Sequence, residues 1–407
     1  MRMKKTVAVL GTFDTKGQEF QYLMECLRDF QISVVTIDVG TGDPVSVVPD
    51  YRAAESPACR CTKRPPKEEW MEMLAREAAS YLEKLIGRRE VDGVISMGGG
   101  QGTFLANRVF RTLPVGMPKV LMSTLALLKD SAEQFLGLND TMVINSLVDI
   151  AGLNKILKMN IRKAAAAMAG MAGCGPQTAE GSDRPAVGIS CWGVTTPCVE
   201  AVRRVLERHG YEVYIFHANG EGGAMLERFA RDGLLKGVAD ITLSEVTMPL
   251  AGSYQDAVPE RLTCAGKAGI PQVVVPGGVD MVLRHKEELS ALSKRKVYRH
   301  TPEVVFVRSS KEENVRFAKV IAEKLNRASG DITVLIPQKG LSMADRPGGP
   351  LYEPETDRVL FKTLKDQLLP QIKVLEMDCH ITDTRFGETA AEILIEKMKE
   401  EEKKNDR

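Results

Sequence analysis

Residues 6–38, TVAVLGTFDTKGQEFQYLMECLRDFQISVVTID, decide the fold. Thr6 to Leu10 is a β-branched run that stops at Gly11. From Gln18 to Phe30 the apolar residues Phe20, Leu23, Met24 and Leu27 recur at helical spacing. Ile32 to Val39 is a second apolar run, closed by the turn GTGDP. Strand, helix and strand in this order make a parallel βαβ unit, because the crossover is right-handed.

The same grammar continues along the chain. Glu68 to Ile86 reads as a helix, Val91 to Met97 as a buried strand, Phe104 to Phe110 as a helix and Pro118 to Ser123 as a strand. Ala151 to Ala172 reads as one long Ala- and Met-rich helix. GCGPQTAEGSDR, Gly173 to Arg184, has the composition of a linker. The pattern then restarts with Ala186 to Ser190, a helix from Cys198 to His209 and a strand from Tyr211 to Phe216. Ala239 to Leu243, Gln272 to Val275, Glu303 to Val307 and Thr333 to Ile336 are further strands. GMPKVLMS at 116–123 and GIPQVVVP at 269–276 echo one another. The expectation is α/β: two Rossmann-like, doubly wound parallel sheets in tandem. Residues 1–180 would form an N-terminal nucleotide-binding domain, 184–400 a C-terminal domain and 401–407 a charged tail.

Composition agrees. The 407 residues correspond to roughly two to three domains. Aromatics at 5% beside 35 glycines and 18 methionines favour α/β over an all-β sandwich. Fifty-five basic against 54 acidic residues leave a net charge of +1, so no global field attracts nucleic acid or an anionic membrane. No apolar run approaches the ~20 residues of a membrane span. The richest, Ala164 to Met171, is short and follows Arg162 and Lys163. The N-terminal apolar stretch reaches Asp14 too soon for a signal peptide. Eight scattered cysteines without CxxC read as reduced thiols, which points to the cytoplasm. Five histidines without HxxxH or HExxH signal no metal site.

In open α/β sheets ligands bind beyond the carboxyl ends of the strands. The first such loop, GTFDTK, offers Gly11, Thr12, Asp14, Thr15 and Lys16. A helix start here would suit an anion, with Lys16 as counter-charge. Equally, Asp14 or Thr12 would simply cap the turn. The second loop, GGGQGT, brings Gly98, Gly99, Gly100, Gly102 and Thr103 directly after a buried strand. Its spacing is neither GxGxxG nor a Walker motif, yet so many glycines let a ligand approach the backbone closely. Asp38 would bind ribose hydroxyls or merely begin the GTGDP turn, and Ser123 and Thr124 would line the same cleft. In the second half, Thr196 and Pro197 of WGVTTP read as an N-cap and first helical residue. ANGEGG, Ala218 to Gly223, is a second anion-cradle candidate beside His217. Glu245 and His380, the latter between Asp378 and Asp383, join His217 as acid–base candidates. Pro337 to Asp357 is a long polar loop that would bring Lys339, Ser342 and Asp345 over a cleft.

Taken together, GTFDTK, VDGVISMGGGQGT, MPKVLMSTLA, VDIAGLN, WGVTTPCVEAV, FHANGEGG, GIPQVVVPGGVDMV and DCHITD resemble one family. It is the family of the ATP-binding domain of plant tobamovirus-resistance proteins, and the likeness covers about residues 4 to 395. The resemblance implies two Rossmann-like subdomains, ATP as ligand, with Mg²⁺ following the phosphates, and self-association into a homodimer. In the plant proteins the domain binds a viral replication protein and a barrel domain follows; a stand-alone form is the expectation here, and the antiviral function does not carry over. The family's motifs fall on Gly11, Thr12, Asp14, Thr15 and Lys16, and on Gly98, Gly99, Gly100, Gly102 and Thr103. Gln101 stands where relatives commonly have a small residue, and FLGLNDTMVINS at 135–146 replaces a more Gly/Ala-rich start. A nucleotide binder is thus one reading. An enzyme acting on a small anionic metabolite between the domains, through His217, Glu245 or His380, is another, and a regulatory module is a third. The Ile161 to Ala172 helix would pack between the domains or between subunits.

Overall fold

The computed structural model describes residues 5–405 except 61–63, 128–138, 175–183, 254–256, 291, 293, 300 and 302–303. Most of the Gly173 to Arg184 linker, residues 135–138 of the FLGLNDTMVINS stretch, Cys61, His300 and Glu303 therefore lie outside the described residues. The chain forms two compact units, Met1–Glu180 and Gly181–Arg407.

The first unit runs β1 (Thr6–Gly11), α1 (Phe13–Asp29), β2 (Ser33–Asp38), β3 (Tyr51–Arg52), α2 (Lys67–Gly87), β4 (Gly93–Gly98), α3 (Gly100–Phe110), β5 (Lys119–Ser123), β6 (Met142–Asn145) and α4 (Lys155–Cys174). Its six strands are parallel in the order β3-β2-β1-β4-β5-β6. α1 and α4 cover one face through Phe20, Leu23, Leu27, Leu157, Ile161 and Met168. α2 and α3 cover the other through Trp70, Leu74, Leu82, Leu105 and Val109. α4 is thus committed to its own sheet, because Ala164 and Ala165 let it lie close against the strands. Among the described residues no helix is long and apolar enough to cross a membrane.

The second unit runs β7 (Ala186–Cys191), α5 (Thr196–Arg208), β8 (Glu212–His217), α6 (Glu221–Arg231), β9 (Gly237–Thr242), α7 (Ser244–Thr247), α8 (Cys264–Lys267) and β10 (Gln272–Gly277). Then follow β11 (Met281–Arg284), β12 (Val297–Arg299), β13 (Val305–Arg308), α9 (Lys311–Leu325), β14 (Ile332–Pro337), α10 (Pro354–Gln367), β15 (Lys373–Met377) and α11 (Thr384–Asn405). Six strands again form a parallel sheet, now ordered β15-β14-β10-β9-β7-β8. Residues expected to extend it, within Glu303 to Val307, instead form β13 of a separate antiparallel sheet, β11-β13-β12. β11 starts only a tight turn after β10, too soon for a parallel crossover, and β13 then pairs antiparallel with β11.

Local starts also shift. α1 begins at Phe13, ahead of the expected Gln18, with non-helical geometry at Lys16 (φ −133°, ψ 27°). α5 begins at Thr196, so Thr195 takes the cap position and Pro197 sits one place further in. Gly11 is explained by packing alone: a Cβ there would lie 2.3 Å from the Phe20 ring. Gly11→Ala is therefore expected to destabilise the first unit by about 1–3 kcal/mol, the range for overpacking a filled core. A urea unfolding midpoint unchanged from wild type would refute this account.

Candidate anion-binding site

The first sheet changes direction between β1 and β4, whose neighbours run outward to β3 and to β6. α1 follows β1 onto one face and α3 follows β4 onto the other, so the crevice favoured for ligands opens at their starts. Gly99 is the N-cap of α3 and has no side chain to cap it. The first helical bond runs from Thr103 N–H to the Gly99 carbonyl, 2.8 Å. Among the described residues, no group accepts from the N–H groups of Gly100, Gln101 and Gly102. Gly100 is exposed, and a Cβ on it would meet nothing within 4 Å. Gly98 is different: it packs against Gly102, where a Cβ would come within 2.8 Å of the Gly102 Cα. Hydroxyls line the β5 side. Thr103 Oγ1 and Ser123 Oγ lie 2.7 Å apart, and Thr124 Oγ1 lies 3.6 Å from where a Cβ on Gly99 would sit. The result is an uncapped helix start, open to solvent, with the half-buried Thr124 hydroxyl at its edge and the buried pair of Thr103 and Ser123 beneath.

The GTFDTK loop is otherwise engaged. Asp38 is fully buried at the end of β2, and its Oδ1 accepts from Phe13 N–H (3.1 Å) and Gly40 N–H (2.9 Å). Its Oδ2 faces Arg52 Nε at 3.3 Å. Burial raises its pKa, opposed by the Gly40 and Phe13 amides and by Arg52. Asp38 therefore holds the start of α1 from beneath and presents no carboxylate to a ribose. Asp14 turns towards the loop after β2 and accepts from Thr41 N–H (3.1 Å) and Gly42 N–H (2.8 Å). Lys16 donates to the Ile150 carbonyl, and nearby Glu19 accepts from Gly152 N–H, so both side chains pin the approach to α4. Thr12 is buried; its carbonyl accepts from Thr15 and Lys16 N–H, and its hydroxyl from the exposed Thr15.

In the second unit the ANGEGG loop already holds an anion, the chain's own Glu245. Glu245 Oε1 accepts from Gly220 N–H (2.5 Å) and Gly223 N–H (3.0 Å) at the start of α6. A Cβ on Gly223 would lie 1.8 Å from Glu245 Oε2. That oxygen accepts from Arg261 Nε at 2.7 Å. Fully buried Arg261 also grips Asp240 through two bonds of 2.7 and 2.6 Å and meets Glu227 at 3.1 Å. Glu227 in turn accepts from the N–H groups of Leu262, Thr263 and Cys264 at the start of α8. Burial pushes the Glu245 pKa up, against Arg261. Burial also opposes the Arg261 charge, but the three carboxylates hold its pKa well above the ordinary value. Glu245 is corrected from acid–base candidate to internal counter-ion.

His380 is nearly buried. Its Nε2 faces the Asp345 carbonyl at 3.0 Å, so that nitrogen carries the proton, and Nδ1 accepts from Thr382 N–H at 3.1 Å. Burial lowers its pKa. It fastens the 340–345 turn and is not gathered with the other candidates; His217 is exposed at the end of β8. Ser342 and Asp345, expected over a cleft, are buried too: Ser342 Oγ donates to Asp280 Oδ2 (2.7 Å) and Asp345 Oδ2 accepts from Leu341 N–H (3.0 Å). Lys339 is exposed and pairs with Asp378 at 3.1 Å.

With the geometry in place, sequence comparison becomes informative. Residues 5–176 match the N-terminal domain model of the Uncharacterised protein family (UPF0261), and residues 184–398 match its C-terminal domain model. The chain belongs to the UPF0261 family. A UPF0261 protein of Clostridium tetani is 36% identical over 97% of this chain and 100% of its own length. The ToMV resistance protein Tm-1(GCR237) of Solanum lycopersicum is 33% identical over 96% of this chain and 55% of its own length. Among solved structures, that of Acinetobacter baumannii MurG covers 97% of this chain and 95% of its own, at 12% identity and a TM-score of 0.25. No ligand or reaction carries across at that level.

The family's second domain contains one further cluster that its motifs do not announce. Arg308, 1% exposed, donates to Asp357 and lies 3.8 Å from Asp280 Oδ2 and 4.0 Å from Asp345 Oδ2. Burial, then the Asp280 and Asp357 charges, push the Asp345 pKa up to about 9; burial pushes Asp280 up to about 6. Sequence signals for Arg261, Asp240, Glu227, Arg308 and Asp357 are absent because each partner comes from a different element. The loop after β14 shows in sequence only that polar residues follow a strand.

Two measurements test these clusters. Arg261→Met leaves the Glu245, Asp240 and Glu227 carboxylates without their cation, and should cost the second unit about 3–5 kcal/mol in denaturant unfolding. A loss below ~1 kcal/mol would mean that the carboxylates are compensated otherwise. For Asp345, the folded pKa lies above the unfolded one, so the native state binds the extra proton. Its contribution is complete below the ordinary aspartate range and is lost as pH rises to about 9. Thermal unfolding should therefore show wild-type stability falling through this window, and Asp345→Asn falling less. Parallel pH profiles would overturn the assignment.

Proposed function

We propose that the N-terminal unit binds ATP, with its phosphates on the start of α3. One contrast carries the reading. The starts of α1, α6 and α8 are satisfied internally by Asp38, Glu245 and Glu227, whereas no described residue satisfies the first N–H groups of α3. Exposed N–H groups at a helix N-terminus suit a phosphate, and Gly100 leaves room for its approach. Half-buried Thr124 supplies a hydroxyl along the same edge, while the buried Thr103 and Ser123 hydroxyls bond one another beneath it. ATP is the nucleotide that the resemblance implies. Mg²⁺ would travel with the phosphate oxygens and water, neutralising their charge. Lys16 contributes through the Ile150 segment rather than as a direct counter-charge.

The acid–base reading is weaker on this geometry. Glu245 and His380 are both spent on internal bonds, which leaves the exposed His217 as its remaining candidate.

Gly100→Asp gives a selective test. The new carboxylate has space, and at a helix start it is neutral or stabilising, so the fold should survive. It would also repel and displace a phosphate. Calorimetric titration with Mg-ATP should give saturable wild-type binding, weakened about tenfold or more in Gly100→Asp. No wild-type binding at millimolar ATP, or equal affinity in the variant, would sink the proposal.

A further inference from the structure

The second unit holds a cavity of about 890 Å³ that the nucleotide reading does not use. Its walls include Trp192, Val194, Tyr298, Phe306 and Met343, with Arg346 beside them. Trp192 meets Phe306 edge-on at 5.1 Å and 89°, and Tyr298 lies over Phe306 at 6.2 Å and 27°. Trp192 directly follows β7, beside which β9 begins the other half of the sheet. The cavity therefore stands at the carboxyl edge of the strand where that sheet changes direction, the usual place for a ligand. Volume and lining match a small-molecule site: mostly apolar and aromatic, with few polar groups.

The facing wall is preformed. Met343 N–H donates to the Val194 carbonyl (2.9 Å), and Leu351 N–H to the Ala344 carbonyl (3.0 Å). Between them Arg346 to Gly349 make a turn closed by Gly349 N–H on the Arg346 carbonyl (2.7 Å), with Pro347 and the positive-φ Gly348 at its centre. Beneath the turn, Ser342 is bonded to Asp280 and Asp345 to Leu341. This scaffold presents Arg346, which is exposed and takes no part in the ion pairs seen among the described residues.

We infer that this cavity binds a small aromatic carboxylate, its ring against Trp192 and Phe306 and its charge on Arg346. A single guanidinium fork fits a singly charged, planar anion better than a polyphosphate. Stacking on rigid aromatic walls selects a flat ring over a sugar.

The test uses the full chain in a Trp70→Phe background, which leaves Trp192 as the sole tryptophan of the two. 2-Naphthoate and its neutral analogue 2-naphthamide are titrated while Trp192 fluorescence and heat are followed. Both should saturate, the acid about tenfold more tightly. Arg346→Gln should bring the acid to the affinity of the amide and leave the amide unchanged. Met343→Glu, at an exposed position, should weaken the acid selectively while circular dichroism stays native. Failure of both probes to saturate at millimolar concentration, or an acid affinity insensitive to Arg346→Gln, would overturn the inference.

Discussion

A helix that follows a parallel strand begins with backbone N–H groups that have no intrahelical partner. In this chain that constraint organises both units, because each sheet aims several such starts at one edge. Water, a side chain or a ligand must satisfy them. At α1, α6 and α8 the chain supplies its own carboxylates, Asp38, Glu245 and Glu227. Those acids come from β2, from α7 and from α6, so each also ties its helix to a neighbouring element.

Burying these acids creates a second requirement. A carboxylate removed from water needs a cation or a proton. Around Arg261 the solution is a cation with its full fork used: two bonds to Asp240, one each to Glu245 and Glu227, and one to the Thr242 carbonyl. Arg308 is asked to face Asp280, Asp345 and Asp357, but only Asp357 receives a close ion pair. Asp345 is accordingly pushed up to about 9, and a proton completes what the guanidinium does not reach. Two buried arginines with similar company thus hold their three carboxylates by different routes. The second places a titratable group directly under the turn that carries Arg346.

The sheet strands were legible where β-branched runs ended in glycine or a polar residue, as in TVAVLG and GVISMG. Fold class followed from their alternation with helical spacing. Boundaries were less legible, since α1 gains its first turn from Asp38, a residue of β2 that no local pattern couples to Phe13. The small sheet of β11, β12 and β13 was not legible as a separate sheet, because β13 looks like any apolar run and only its antiparallel pairing with β11 and β12 sets it apart. GGGQGT stood out through its glycines. The fate of a glycine loop was not readable, because the occupant arrives from elsewhere in the chain.

GGGQGT and ANGEGG show what decides that fate. Both follow a strand, both open a helix, and both are rich in glycine. They differ in what the next parallel strand brings alongside. After β9 the chain delivers Glu245, which enters the start of α6 and requires glycine at 223 to fit. At the end of β2 it delivers Asp38, which does the same for α1. At the end of β5 it delivers Ser123 and Thr124, which bring hydroxyls and no charge. A hydroxyl can donate to a phosphate oxygen, whereas a carboxylate there would repel it. The acid or hydroxyl at the end of the following strand therefore separates a closed turn, as at α1, from an open cradle, as at α3.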